Sequence, residues 1–232
     1  MVGKSQKEQG ARYTGIIRPR GWRGESQRHA MSSRGILTKR EEDQYKRYAD
    51  ALGAYLVSIG AFSVAGESKY FKTDSTGIPI QEDMIANPKY FRENKGITWK
   101  IIWLTPKEYE EAIERGFRQE DLLLRGRTDT IPPGMTVREF RIHPSHLQKI
   151  IGIMKKTKVS MPFLRYHVGR SPHTDQINAY FDQEGHYRVV AADVLGERQV
   201  PVFVEYPVRQ KYFDEVELYM TPLIRKKVRG GS

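Results

Sequence analysis

Between residues 182 and 206 the chain reads Asp-Gln-Glu-Gly-His-Tyr-Arg-Val-Val-Ala-Ala-Asp-Val-Leu-Gly-Glu-Arg-Gln-Val-Pro-Val-Phe-Val-Glu-Tyr. Its opening, Glu184-Gly185-His186-Tyr187-Arg188, gathers groups able to handle a phosphate. A glycine at a helix start lets an anion approach backbone N–H groups, and the helix dipole favours negative charge there. Arg188, three residues on, lies one turn along and can complete a clamp on phosphate oxygens. Gly185 and Arg188 are therefore the candidate phosphate ligands. Glu184 is a candidate general base, or an oxygen ligand for a divalent metal in phosphoryl transfer. Its plain alternative is a solvated charge flanking a turn. His186, whose ordinary pKa lies near neutrality, could donate to a phosphate or act as an acid. It could equally be a partly buried histidine bonded locally. Tyr187 reads as a core residue.

Two further stretches carry candidate ligands. Gly169-Arg170-Ser171-Pro172-His173-Thr174 is a loop-like run whose donors suit phosphates, with Arg170 the strongest, although a generic surface hairpin reads the same way. Near the start, Arg18-Pro-Arg-Gly-Trp-Arg-Gly-Glu-Ser-Gln-Arg-His29 interleaves basic residues with one tryptophan. Arg18, Arg20, Arg23 and Arg28 can follow a phosphate backbone while Trp22 stacks on a base. The alternative is a solubilising extension with Trp22 docked on the body. His143, His146, His167 and His173 lack the spacing of a zinc site.

Charge is distributed unevenly. The 232 residues carry a formal net charge of +11. Residues 1–40 hold ten basic and two acidic side chains, and residues 221–232 hold four basic and none acidic. The span 41–220 is left at −1, so the chain reads as a neutral body with a partly disordered basic arm (1–40) and a basic tail (208–232). The absence of cysteine excludes disulfide scaffolds, thiolate zinc sites, iron–sulfur clusters and cysteine nucleophiles. No apolar run approaches the ~20 residues that span a bilayer, and no secretory-type apolar stretch stands near Met1. A cytoplasmic protein, nucleoid-associated or virus-encoded, with no membrane partner is expected.

The elements that must position the turn are legible as patterns. Tyr45, Tyr48, Leu52, Tyr55, Leu56 and Ile59 predict a helix over Arg40 to Ile59, stopped by Gly60. Residues 61–95, with Gly66, Gly77, Pro79 and Pro88, predict irregular structure with short strands or helical turns. Ile97–Leu104 predicts a strand, followed by a helix capped by Thr105, Pro106 and Glu108 that should stop at Gly116. Ile131–Gly134 predicts a turn, Val137–Ile142 a short strand, and Ser145 the cap of a helix burying Leu147, Ile150, Ile151 and Met154. Met161–Val168 and Gln176–Phe181 predict strands, Gly185–Leu195 a helix closed by Gly196, and Val200–Tyr206 a last strand.

The run Glu184-Gly185-x-x-Arg188-x-x-Ala191-Ala192, then Leu195-Gly196, then Val200-Pro201-Val202, resembles the signature of the ParB/sulfiredoxin superfamily. The likeness is specific at 184–202. It extends more loosely over the helix Ser145–Lys156, the Ser160-Met-Pro-Phe163 strand start, and strand 97–104 with Thr105-Pro-Lys-Glu-Tyr109. It implies an α+β fold over 97–207, a mixed sheet with packed helices, preceded by a helical or irregular segment (41–96) and the arm. It also implies a nucleotide or phosphate at the Gly-x-x-Arg helix start, with a nucleoside triphosphate and Mg2+ as candidate cofactors. Sulfiredoxins carry a catalytic cysteine in this turn, so sulfinic-acid reduction is excluded here. The Asn-Pro-Arg element and helix-turn-helix of chromosome-partitioning ParB proteins are not evident. The leading expectation is a nucleotide- or phosphate-binding protein acting on or beside nucleic acid, DNA ahead of RNA, and binding it through the basic extensions. The alternatives are a metal-dependent nuclease, nucleotidase or kinase, and a non-catalytic phage or virion interaction protein. Homo-oligomers and viral or nucleoid proteins are the other partners expected.

Overall fold

The structure, a computed structural model, describes residues 39–61, 68–80, 96–123, 131–170 and 177–230. The basic arm with Arg18, Arg20, Trp22, Arg23 and Arg28, and the stretch Ser171–Thr174 with His173, lie outside the described residues.

Four eight-residue strands build one mixed sheet: β1 (Ile97–Leu104), β2 (Phe163–Arg170), β3 (Ile177–Glu184) and β4 (Val200–Pro207), in the order β1-β4-β2-β3. β4 pairs antiparallel with β1 and parallel with β2, and β2 pairs antiparallel with β3. Registers Trp99↔Glu205, Phe163↔Phe203 and Arg165↔Asp182 settle the two faces, because side chains alternate along each strand. One face presents Trp99, Glu205, Arg165, His167 and Asp182. The other presents Tyr206, Val204, Leu164, Tyr166 and Phe181.

Helices cover both faces. α1 (Lys39–Ser58) lays Tyr55 edge-on to Trp99, with ring centroids 6.2 Å apart. Gly60, at φ +64, ends that segment, and Ala61 accepts a hydrogen bond from Ile101 N. On the opposite face α2 (Pro106–Leu123) packs Phe117 against Phe181. The expected stop at Gly116 does not occur. The helix continues because this glycine is a contact point: a Cβ added there would lie 2.4 Å from the Phe181 ring.

Two other expectations are corrected. Val137–Arg141 is a helical turn, α3, instead of a strand. Thr136 and Glu139 form a capping box, with Thr136 N donating to Glu139 and Glu139 N to Thr136, and this local signal outweighs the β-branched ends of the segment. α4 (Pro144–Met154) starts two residues earlier than expected: His143 is the N-cap and Pro144 the first helical residue, so Ser145 is not the cap. Its buried face is as expected, with Ile151 and Met154 buried and Leu147 and Ile150 partly so. α5 (His186–Val194) follows β3 directly, and Gly196 at φ +80 closes it.

The segment expected to be a basic tail is folded. α6 (Gln210–Val216), a 3-10 turn (Glu217–Tyr219) and α7 (Pro222–Arg229) bury Phe213, Val216, Tyr219, Ile224 and Val228. Tyr219 donates to Ala179 O on β3, and Arg229 pairs with Asp214 and Glu217. A four-residue period lets Ile224 and Val228 face the core while the basic residues stay outside, which net charge could not reveal. Among the described residues no helix is long and apolar enough to cross a membrane.

Because Gly116 supports close packing, Gly116→Ala should lower stability by about 1–3 kcal/mol through overpacking. Chemical denaturation of the variant beside wild type measures this, and an unchanged midpoint would show that Phe181 gives way freely.

Candidate functional site

The turn between β3 and α5 is built around Gly185, the N-cap of α5. Its backbone is left-handed, φ +96 and ψ 13, a conformation that glycine adopts without the Cβ clash other residues incur. Space adds a second requirement: a Cβ there would lie 2.7 Å from Pro162 Cβ and 2.8 Å from Pro162 Cα. No side chain caps α5, so the first N–H groups of the helix have no capping acceptor.

Pro162 is itself held from two sides. Its carbonyl accepts from Phe203 N on β4, and next to it Met161 N donates to Ile80 O. Residues 70–80 run beside this lead into β2. Tyr70 and Lys72 bond to Val159 through the backbone, while Ser68 and Lys69 bond to Glu197 beyond the end of α5. The described part of the 61–95 segment, residues 68–80, has the short bridged stretches expected of it and forms a strap that fixes one wall of the turn.

Arg188 lies on that wall. Its guanidinium donates to the Ser160 hydroxyl and, at 2.9 Å, to Glu184 Oε1. Arg188 and Ser160 are largely buried, whereas the Glu184 side chain is 44% exposed. The structure thus brings Glu184, Gly185 and Arg188 together, as the sequence reading requires, and adds Ser160. Nothing in the spacing of the chain flagged Ser160, which stands 28 residues before its partner.

The other candidates are placed elsewhere. His186 is buried, with Nε2 3.8 Å from Glu110 Oε1 on α2 and neither ring nitrogen hydrogen-bonded. Burial of Glu110 opposes its charge, but His186 and Arg138 outweigh this and hold its carboxyl below the ordinary range. Tyr187 donates its hydroxyl to Arg141 O and accepts from His143 N, pinning the junction of α3 and α4 onto the turn. Arg170 pairs with Ile177 at the far end of the β2–β3 hairpin, whereas Phe163 pairs with Glu184. At ~3.3 Å per residue its backbone stands about 23 Å along the strand from Phe163. The register therefore does not bring Arg170 to the turn. Tyr109, wholly buried on α2, donates to Glu184 O, and burial raises its own pKa well above the ordinary tyrosine value.

A second polar group was not anticipated. Glu205, 1% exposed on β4, accepts from Trp99 Nε1 at 3.0 Å. Arg165 Nε lies 3.3 Å and His167 Nε2 3.1 Å from its Oε1, and Arg165 also reaches Asp182. His167 stacks on Tyr180 at 4.9 Å. Four strands contribute to this cluster, so only the sheet register assembles it. Among the described residues no three His, Asp or Glu side chains form a metal-binding group.

No protein-family model matches the chain, and no curated protein and no solved structure matches it.

Burial, reinforced by the Arg165 charge, holds His167 well below its ordinary 6.5. The folded chain keeps the ring neutral where the unfolded chain takes up a proton. The stability associated with this group is therefore complete above about pH 6.5 and falls as pH drops below it, by up to ~1.4 kcal/mol per pH unit. Denaturation midpoints across pH 7.5 to 5 for wild type and His167→Asn measure this, with the difference flattening above about 6.5.

Proposed function

We propose that this chain is a ParB-like phosphate- or nucleotide-binding protein acting on or beside nucleic acid, with Gly185 and Arg188 holding the phosphate. The observation that carries this reading is an uncapped helix start on a left-handed glycine, with an arginine one turn on already holding a carboxylate. Glu184 supplies to Arg188 the kind of anionic oxygen that a phosphate would supply. Glu184 holds the exposed side of the pair and Ser160 the buried side of the guanidinium, so the carboxylate can give way to a ligand that also meets backbone N–H groups.

In this reading Ser160 keeps the guanidinium in place while Glu184 swings outward. A nucleoside triphosphate is the candidate ligand. Mg2+ would be shared between Glu184 and the ligand's phosphates, as is usual for a cation that binds few protein groups. The nucleic acid is assigned to the basic arm, with Arg18, Arg20, Trp22, Arg23 and Arg28, and DNA is the preferred partner.

Equilibrium binding of ATP checks the pocket. Arg188→Ala should weaken binding at least tenfold, and Glu184→Gln should strengthen binding measured without Mg2+, because a neutral amide competes less well for the guanidinium. Binding unchanged by Arg188→Ala removes the pocket from consideration. If Glu184 is instead a catalytic base, Glu184→Gln abolishes magnesium-dependent phosphoryl transfer while leaving the fold intact. For the arm, deletion of residues 1–40 should lower DNA affinity and flatten its dependence on salt, because fewer counterions are released.

A further inference from the structure

The charge pattern of the folded body is as uneven as that of its ends. Residues 140–174 contain seven Lys and Arg and no Asp or Glu. α2, by contrast, carries six acidic and three basic residues, and Lys107–Glu111 and Arg118–Glu114 pair along it. On α4 the outward stripe is His146, Lys149 and Ile153, all exposed, and the exposed Lys155, Lys156 and Lys158 follow its end. Among the described residues none of these four lysine side chains makes an ion pair or hydrogen bond. Like charges this close repel one another, and a polyanion relieves that repulsion.

Three features say which polyanion. Lys149 on α4 and Lys156, two residues past its end, are seven residues apart, ~10 Å at helical rise, a length comparable to about three nucleotide steps of one DNA strand. The exposed residues of this stripe include no Phe, Tyr or Trp, so it offers no platform for stacking the bases of a single strand. Gly152 lies in the helix interior, where glycine is unfavourable, yet a Cβ there would meet nothing within 4 Å. Among the described residues nothing requires its small size, and it leaves room for a partner's backbone to approach.

Both ends of α4 are tied to the Gly185–Arg188 turn. His143 at its start is bonded to Tyr187, and His146 meets the Tyr187 ring edge-on at 4.4 Å. Beyond its end, Lys158 stands two residues before Ser160, which accepts from Arg188. We infer that the outer face of α4 with the Lys155–Lys158 segment binds the phosphate backbone of duplex DNA and holds it beside the turn. The choice of partner rests on the nucleic-acid reading above, whereas the unpaired charge on α4 stands independently of it.

The test is equilibrium binding of the full chain to a short random-sequence DNA duplex over a series of salt concentrations. It compares wild type, a variant with Lys149, Lys155, Lys156 and Lys158 all replaced by Gln, and one with the same four replaced by Arg. The Gln variant should bind at least tenfold more weakly at low salt, and its slope of log affinity against log salt should shrink by up to about 3.6, near 0.9 for each of the four lost phosphate contacts. The Arg variant should retain the wild-type slope. All four positions are exposed, and a thermal melt confirms that each variant folds. A Gln variant that matches wild type overturns the surface while leaving the nucleic-acid reading intact. A wild type that binds no DNA overturns both. Tighter binding to single-stranded RNA or to anionic phospholipid vesicles than to the duplex overturns the choice of partner.

Discussion

Gly185 can lie against Pro162 because it lacks both a side chain and the left-handed penalty that a side chain brings. That contact sets the separation between the end of β3 and the lead into β2. It also brings Ser160 within reach of Arg188, four residues along from Glu184. Any other residue at 185 would push the two segments apart and leave the guanidinium without its buried hydroxyl partner. The neighbouring bonds reinforce the same geometry: Phe203 N to Pro162 O, Met161 N to Ile80 O and Tyr109 to Glu184 O all converge on this corner.

The sheet also carries an acidic side chain in its interior. Glu205 is nearly inaccessible and is compensated by Trp99 from β1 and by Arg165 and His167 from β2. A buried carboxylate is tolerated only when its partners are in place, and removing one partner of such a group typically costs 3–5 kcal/mol. The register of three strands is thereby coupled to one side chain. A one-residue slip would turn Glu205 toward the face packed by Tyr206, Val204 and Tyr166.

Much of the architecture was readable from pattern. β1 runs over the residues its aromatic and β-branched content predicts, and α5 begins and ends at the two glycines that mark it. Both signals are local, because they depend on side chains a few residues apart. The misreadings have the same origin. Gly116 looks like a stop in a one-dimensional reading, and only the Phe181 ring, 65 residues later, explains a glycine inside a continuing helix. Val137–Ile142 has strand-like ends, but the Thr136–Glu139 capping box is a helix signal in the same stretch, and it prevails. The basic character of 221–229 concealed the Ile224–Val228 stripe that anchors it.

The sequence by itself determined most of the elements around the sheet and the Glu184–Arg188 turn, because glycine conformation, capping and side-chain periodicity act over a single turn of chain. It also determined that this turn carries no thiol and that much of the positive charge stands near the two ends. Tertiary structure decided which residues share a wall: Ser160 with Arg188, His186 with Glu110, and Glu205 with Trp99, Arg165 and His167. It moved Arg170 to the far end of a strand and folded the supposed tail onto the sheet. Most of these partners lie tens of residues apart, and their meeting depends on strand register and close packing, which no local pattern encodes.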